Sequence, residues 1–274
     1  TALYVLEKLK FDKKTKFFCS GYVDFGNRKF HCWKEGGHGS LDLKEAIKQS
    51  CDCYFYNLAK TIQIDSLSKF SRNFSMGVPT NIDFPNESIG IMPDSKWKVK
   101  NKGERWHRGE TLNSVIGQGF ILSTPLQITL MTAMLATGKV IKPKILYDNN
   151  NFFEDTDVSK ENLDFIRKSM YSVVNEFKGT AFGSRLSGKL KMVGKTGTSQ
   201  VRKISKEERE ERVLKNEELI YKLRDHSIFT GYAPYENPKY ALTVIAEHMG
   251  SGSKVAAPIA KQLMSFSLKK FLST

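Results

Sequence analysis

Apolar residues recur at helical intervals in several separate segments of the first two thirds of the chain. Asp42 and Glu45 stand three residues apart, which is the reciprocal capping pattern of a helix start. A second helix is predicted over residues 52–61, because its large apolar side chains fall on one face. That face consists of Tyr54, Phe55, Leu58 and Ile62.

Three further helical patterns are present. Pro125 suits the first turn and Gly138 the C-terminal cap of a helix that is apolar nearly all round, so a buried core helix is predicted between them. Residues 161–177 predict another helix after a polar loop at 149–160. The first residues, TALYVLEKLK, have leucines at helical spacing but no capping residue before them, so we expect the helix to begin outside the sequence.

The last hundred residues change to a strand pattern. Segments 189–201, 226–235 and 239–249 each predict a strand, and the tight APYENPK connection between the last two predicts an antiparallel hairpin. Segment 255–272 predicts a closing amphipathic helix. Between the first two strands, segment 202–225 has dense charges of both signs, which predict a solvated helical excursion or a mobile loop.

The composition is that of a globular protein, with 40% hydrophobic and 26% charged residues. The formal charge of +14 favours anionic surroundings, but lysines are spread along the chain and no nucleic-acid-binding motif accompanies them. We therefore expect no binding of nucleic acid. No apolar run approaches the roughly 20 residues that span a bilayer.

The segment GKLKMVGKTGTS is a near miss for a nucleotide-binding P-loop. That motif needs four residues between its first glycine and the Gly-Lys pair, whereas five separate Gly188 from Gly194. The residues after Lys195 also favour a strand over the helix whose N-terminus would hold phosphate. A strand with Lys195, Thr196 and Gly197 can instead line a cleft, pair with an extended substrate and present a cation to its carboxylate.

The Lys-Thr-Gly triplet accompanies Ser-Asp-Asn and Ser-x-x-Lys in β-lactamases and penicillin-binding proteins. Here Ser50-Cys51-Asp52 lies between two predicted helices, where the second motif is expected. With these motifs and further stretches in order along nearly the whole chain, the sequence resembles the transpeptidase domain of the class B penicillin-binding proteins, in particular those of cell elongation in rod-shaped Gram-negative bacteria. The stretches are SCDCYFYNLA, WHRGETLNSVIGQGFILSTPLQ, GKTGTSQV, DHSIFTGYAP and EHMGSGSKVAAP.

The resemblance implies an α/β (α+β) fold of the penicillin-binding and β-lactamase-like type. This fold has an antiparallel sheet of about five strands flanked by helices, plus a helical subdomain. A single transpeptidase domain is expected over residues 1–274. Its helical, zinc-containing subdomain is expected over about 10–150, and its sheet with flanking helices over about 160–274.

The implied activity is D,D-transpeptidation, a step of peptidoglycan cross-linking in cell elongation. A serine attacks the D-Ala-D-Ala bond of a stem peptide and passes the acyl group to an amine on a neighbouring strand, and β-lactam antibiotics acylate the same serine. By resemblance, Ser50 would transfer a proton near the nucleophile. Asp52, where most relatives have asparagine, would orient the substrate amide or the neighbouring lysine.

The third motif would bind and polarise the substrate. By resemblance, Lys195 and Thr196 would hold its terminal carboxylate, and the N–H of Thr198 would supply one oxyanion donor. Gly197 would leave the cleft open. The sequence departs from the family in one respect: it has no Ser-x-x-Lys motif of the family type, and SLSK at 66–69 follows the second motif, whereas the family nucleophile precedes it. We expect the nucleophile before Thr1, so the polypeptide 1–274 alone would not be acylated.

The four cysteines are Cys19, Cys32, Cys51 and Cys53. Cys19, Cys32, His38 and Cys51 are separated by 12, 5 and 12 residues, a set of three thiolates and one imidazole suited to tetrahedral Zn²⁺. Cys51 and Cys53 point to different faces of a helix, so only one of them can easily join the zinc site. The resemblance implies that this one is Cys51, because relatives with a zinc site at matching positions use the residue inside the Ser-x-Asp motif. A structural zinc ion is expected, with a disulfide or free thiols as alternatives.

The resemblance also implies partners and a compartment. The partners would be peptidoglycan stem peptides, β-lactams, and membrane and scaffold proteins of the elongation complex. The domain would be periplasmic, in a protein anchored to the inner membrane. A serine β-lactamase of the same fold and a non-catalytic peptidoglycan-binding module are the alternative functions.

Overall fold

The N-terminal part of the chain folds into short helices and two small antiparallel sheets. The computed structural model describes residues 1–146, 153–202, 204–205, 208 and 213–272. Strand β1 pairs with β4, and β2 pairs with β3. The elements of this part are α1 Ala2–Lys8, β1 Phe17–Cys19, β2 Tyr22–Phe25, β3 Arg28–His31, β4 Gly39–Leu41, α2 Leu43–Lys48, α3 Asp52–Ala59, α4 Ile64–Arg72, α5 Ser95–Lys102 and α6 Arg108–Val115.

The start of α2 is set by one half of the expected capping pair. The side chain of Asp42 accepts a hydrogen bond of 2.9 Å from the backbone N–H of Glu45. The Glu45 carboxylate does not return a bond to the Asp42 backbone; it accepts bonds of 2.9 Å from Lys48 and from Gln49. The predicted return bond from Glu45 was therefore wrong. The side chains of Lys48 and Gln49, one turn further along the helix, donate to the Glu45 carboxylate instead.

Two long helices follow, α7 Pro125–Thr137 and α8 Lys160–Asn175. At the start of α7, the Thr124 hydroxyl accepts from the Gln127 N–H, and the Gln127 carboxamide accepts from the Thr124 N–H. Gly138 ends α7 with a φ of 74°, a conformation that glycine adopts without a steric cost. The predicted start and end of this helix are confirmed.

The C-terminal part of the chain forms one antiparallel sheet of three strands, β5 Val193–Ser199, β6 His226–Ala233 and β7 Tyr240–Ala246. The order is β5-β6-β7, with Gly197 opposite Ile228. The predicted hairpin between β6 and β7 is confirmed by its antiparallel register. β5 lies at an edge, and no strand among the described residues pairs with its outer side.

Helices cover both faces of this sheet. α8 packs against β5, and α7 packs against β6 and β7. The last helix, α9 Ala256–Leu272, also packs against β6 and β7. Its alanines at 256, 257 and 260 are fully buried, and such small side chains let a helix approach a sheet closely. The buried apolar residues of the helical part and of the sheet belong to one continuous hydrophobic cluster.

The predicted α/β class is confirmed, with one difference in strand number. The main sheet has three strands within the described residues, whereas about five were expected from the family resemblance. The sequence itself has only three strand patterns in this part, and all three formed. Of the charged segment 202–225, residues 203, 206–207 and 209–212 lie outside the described residues. Residues 213–225 contain the two 3₁₀ turns Asn216–Glu218 and Tyr221–Leu223.

None of the helices in the described ranges is long and apolar enough to cross a membrane.

Candidate active site

The turn between α2 and α3 holds Ser50 in a left-handed backbone conformation. The φ of Ser50 is 55°, in a region that costs a residue with a side chain about 1–2 kcal/mol. The N–H of Ser50 donates to the Ile47 carbonyl at 3.3 Å, and the N–H of Cys51 donates to the Ala46 carbonyl at 2.9 Å. These bonds to the last turn of α2 hold the Ser50 backbone in place.

Lys195 of β5 meets Ser50 from the sheet. Its Nζ donates to the Ser50 Oγ at 2.8 Å and to the Thr196 carbonyl at 2.9 Å. Burial lowers the pKa of Lys195 to about 8, because a low-dielectric surrounding disfavours the ammonium, and the charge of Asp52 acts in the opposite direction. A lysine that titrates near neutral pH can exchange a proton with the hydroxyl that it contacts.

Asp52 is the first residue of α3 and is held by the loop that follows Cys32. Its Oδ2 accepts a hydrogen bond of 3.0 Å from the backbone N–H of Trp33. Burial raises the pKa of Asp52 to about 7, and the nearby Cys32 sulfur adds to this, while the Trp33 N–H lowers it. The carboxylate therefore couples the Ser-x-Asp turn to the cysteine-bearing loop.

Trp33 supports the same turn, although no motif in the sequence predicted this. Its indole Nε1–H donates to the Ser50 carbonyl at 2.8 Å and to the Gln49 carbonyl at 3.2 Å. The residue is 60% exposed, so its contribution is polar anchoring rather than core packing. Trp33 therefore fixes the backbone of Ser50 from the side of the loop.

Thr196 contacts a second residue that sequence reasoning missed, Thr180. The two hydroxyl groups lie 2.7 Å apart and share a hydrogen bond. The backbone N–H of Thr180 also donates to the Lys48 carbonyl at 3.2 Å. Thr180 therefore links β5 to the end of α2, where the Ser50 turn begins, and only the three-dimensional structure shows this link.

Gly197 and Thr198 complete the strand segment next to Lys195. Thr198 is exposed, and its carbonyl accepts a hydrogen bond of 2.7 Å from the side-chain amide of Gln118. A Cβ on Gly252 would collide with the Gly197 carbonyl, so the loop before α9 packs directly on the backbone of β5. Access to this strand is therefore through its outer edge.

Three cysteines and one histidine converge beside this turn. The candidate ligand atoms of Cys19, Cys32, His38 and Cys51 all lie within 4.8 Å of one another. The His38 Nδ1 lies 3.6 Å from the Cys19 Sγ and 3.5 Å from the Cys32 Sγ. In a tetrahedral site with Zn–S near 2.3 Å and Zn–N near 2.0–2.1 Å, sulfur and nitrogen ligands are about 3.5 Å apart. The two distances from the His38 Nδ1 match that geometry.

The electrostatics of the cluster favour a thiolate at Cys32. Hydrogen bonds from the Cys51 and Cys53 thiols hold the pKa of Cys32 well below its ordinary value. The same contact with Cys32, together with burial, raises the pKa of Cys51. All four cysteines are free in the structure. Nδ1 is the His38 ring atom that faces the sulfurs, whereas Nε2 is buried and has no hydrogen-bond partner among the described residues.

The structure brings the two sets of predicted residues to one place. Cys51 belongs to the cysteine cluster, and its two chain neighbours, Ser50 and Asp52, belong to the site that faces β5. Cys53, the alternative to Cys51, lies outside the four-residue set. The SLSK tetrapeptide at 66–69 lies within α4, where the Ser68 hydroxyl is buried and donates to the Met92 carbonyl.

Comparison with known proteins assigns the class. The model of the penicillin-binding protein transpeptidase domain matches residues 1–265. The chain therefore belongs to the penicillin-binding protein transpeptidase family.

Individual relatives show which members of this family the chain is similar to. The chain is 36% identical to the peptidoglycan D,D-transpeptidase MrdA of Haemophilus influenzae, over 94% of the chain and 41% of that protein. It is 30% identical to MrdA of Escherichia coli, over 89% of the chain and 40% of that protein. The chain thus spans about two fifths of the length of these relatives.

Solved structures agree. Penicillin-binding protein PBP2 of Helicobacter pylori, in its complex with MreC, superposes with a TM-score of 0.84 at 36% identity, over 98% of this chain and 47% of that one. PBP2 of Pseudomonas aeruginosa in complex with WCK 5153 also gives a TM-score of 0.84, at 33% identity, over 97% of this chain and 58% of that one.

Proposed function

We propose that the chain is the catalytic domain of a peptidoglycan D,D-transpeptidase. The observation on which this rests is the contact of Lys195 on β5 with Ser50 on the α2–α3 turn, in a chain of the transpeptidase family. None of the serines named above takes the role of the nucleophile in this proposal. The residues of this chain supply the groups that bind the peptide and transfer protons next to the reacting bond.

Each of these residues has a distinct chemical role in this proposal. Lys195 and Thr196 bind the terminal carboxylate of the stem peptide as a charge-assisted donor pair. The Ser50 hydroxyl, in contact with Lys195, relays a proton between the leaving amine and the lysine. The N–H of Thr198 stabilises the oxyanion of the tetrahedral intermediate. Asp52 holds the turn through Trp33.

We also propose a structural zinc ion held by Cys19, Cys32, His38 and Cys51. Three cysteines and one histidine that converge, with the His38 Nδ1 3.5–3.6 Å from the Cys19 and Cys32 sulfurs, support this. With all four positions supplied by the protein, no open position is left for substrate. The ligand set fixes the backbone at Cys51, and so it orients Ser50 and Asp52 on either side.

The partner proteins and the cellular compartment are also proposals, argued from the relatives. The Helicobacter pylori PBP2 was solved as a complex with MreC, so we propose that the whole protein joins a comparable assembly of cell-elongation proteins. The relatives named MrdA are peptidoglycan transpeptidases, and on that basis we propose that this domain meets its substrate in the periplasm, in a protein anchored to the inner membrane.

Penicillin labelling of the full-length protein tests the activity. We expect a stable acyl adduct, detected by intact mass and by a fluorescent penicillin, and acylation slowed at least a hundredfold in Ser50→Ala. The matched control is Gln262→Ala, on the exposed side of α9, which should react as the wild type does. Rapid release of hydrolysed penicillin would identify a β-lactamase, and no adduct at all would leave a binding module.

A further inference from the structure

The outer edge of β5 presents backbone groups that point away from β6. In antiparallel pairing, alternate residues direct their N–H and C=O groups to the same side of a strand. The Thr198 carbonyl and the N–H of Gln200, one residue past the end of β5, belong to this outward set, because both bond to a side chain outside the sheet. An edge of this kind accepts an extended peptide as an additional strand.

One side chain already occupies this edge. The Gln118 Nε2 donates to the Thr198 carbonyl at 2.7 Å, and the Gln118 Oε1 accepts from the Gln200 N–H at 3.3 Å. A primary carboxamide has the donor and acceptor of a peptide group. Gln118 therefore makes the two bonds that one residue of an added strand would make.

The loop that presents Gln118 is built to hold it there. Gly117 and Gly119, on either side, both have a φ of 79°. A Cβ on Gly117 would meet nothing within 4 Å, so the left-handed backbone, and not lack of space, requires glycine there. The N–H of Gln118 donates to the Asn113 carbonyl at 3.0 Å, which ties the loop to the end of α6.

We propose that the Gln118 carboxamide is a displaceable stand-in for a backbone amide of the substrate. The inference rests on the proposed function, in which the acyl-donor peptide contacts Lys195, Thr196 and Thr198 and therefore lies along the outer edge of β5. An amide N–H of that peptide and the Gln118 Nε2 need the same acceptor, the Thr198 carbonyl. Productive binding then displaces the Gln118 side chain from the edge of β5. Ligands that replace its hydrogen bonds are therefore favoured over ligands that do not.

The competition predicts a gain of function on removal of the carboxamide. A ligand with an acylamino group recovers the bond to Thr198 but must first break the contact with Gln118. Without that contact, its acylation should be about three- to tenfold faster, as expected for one or two intramolecular hydrogen bonds. A β-lactam that lacks an acylamino group does not use the Thr198 carbonyl and should gain less than twofold.

The experiment measures second-order acylation rate constants of the full-length protein with two β-lactams. One is a penicillin with an acylamino side chain, and the other is a carbapenem, which has none. The variants are Gln118→Leu, of similar volume, and Gln118→Asn, which keeps the amide but shortens its reach. The control is Gln262→Leu on the surface of α9. The ratio of the two rate constants within each variant corrects for loss of folded protein.

A higher penicillin-to-carbapenem ratio in both Gln118 variants, with the control unchanged, supports the inference. An unchanged or lower ratio overturns it, because Gln118 would then merely position the strand. If the wild type forms no adduct with either compound, the proposed transpeptidase function fails instead, and the two failures are therefore distinct.

Discussion

Lys195 and Thr196 are each held by one hydroxyl from outside the sheet. Ser50 contacts the ammonium of Lys195 at 2.8 Å, and Thr180 contacts the Thr196 hydroxyl at 2.7 Å. Both partners are also bound to α2. The backbone N–H of Ser50 donates to the Ile47 carbonyl, and the N–H of Thr180 donates to the Lys48 carbonyl. The two side chains that we propose to bind the carboxylate are therefore oriented before a ligand arrives.

The lowered pKa of Lys195 predicts a pH dependence of ligand binding. The ammonium is present below a pH of about 8 and is lost as the pH rises through that value. Affinity for a D-Ala-D-Ala peptide, measured by calorimetry, should fall about tenfold from pH 7 to pH 9. Lys195→Arg, which stays cationic, should show a flat profile over this range. A flat wild-type profile would mean that Lys195 does not bind the carboxylate.

Thr180 offers a test of side-chain orientation. Thr180→Val keeps the shape but removes the hydroxyl that fixes Thr196, so affinity for a carboxylate-terminated peptide should fall about fivefold. Thr180→Ser retains the hydroxyl and should bind within twofold of the wild type. Tighter binding by the valine variant would show the reverse, namely that Thr180 competes with the ligand for Thr196.

At the scale of elements, α7 depends on one buried polar side chain. Gln127 is fully buried, and its Nε2 donates to the carbonyls of Val78 and Ile89, each at 2.9 Å. It thereby fastens the loop before α5 to the first turn of α7. The same side chain also completes the capping box with Thr124.

Gln127→Leu should lower the free energy of unfolding by about 2–3 kcal/mol, because the buried side chain loses its hydrogen bonds to the carbonyls of Val78 and Ile89. Urea denaturation measures this, and the exposed Gln262→Leu serves as the control, with an expected change below about 0.5 kcal/mol. A change of similar size in both variants would contradict a structural role for the buried amide.

The cysteine-bearing loops predict different outcomes for two neighbouring cysteines. Cys51→Ser removes a proposed zinc ligand, whereas Cys53→Ser changes a thiol outside the four-residue set. Metal analysis of the purified protein should find one zinc ion per chain in the wild type and in Cys53→Ser, and a large loss in Cys51→Ser. The proposal does not survive a wild type without zinc, or equal zinc loss in both variants.

At the scale of the whole molecule, helical part and sheet share one buried core. Tyr4 and Leu43 of the helical part belong to the same hydrophobic cluster as Val173 and Phe229. We therefore expect a single calorimetric unfolding transition, and we expect chelation of zinc to move that whole transition to lower temperature. Two resolved transitions, with only one sensitive to a chelator, would show that the parts unfold separately.

Much of this architecture could be predicted from local sequence. Pro125 and Gly138 predicted the ends of α7, and the strand pattern of 189–201 predicted β5, because these signals depend on neighbouring residues. Thr180 and Gln118 could not be found in this way. Their contacts join residues that lie 16 and 80 positions apart, and threonine and glutamine in a loop have many equally good partners.

The left-handed backbone at Ser50 has a consequence for laboratory evolution. Glycine at this position would relieve the strained φ of 55° while deleting the hydroxyl that meets the lysine. Selection for heat resistance alone would thus accept a replacement that selection for growth should reject. Under the proposed function, thermal stability and proton transfer therefore make opposing demands on this residue.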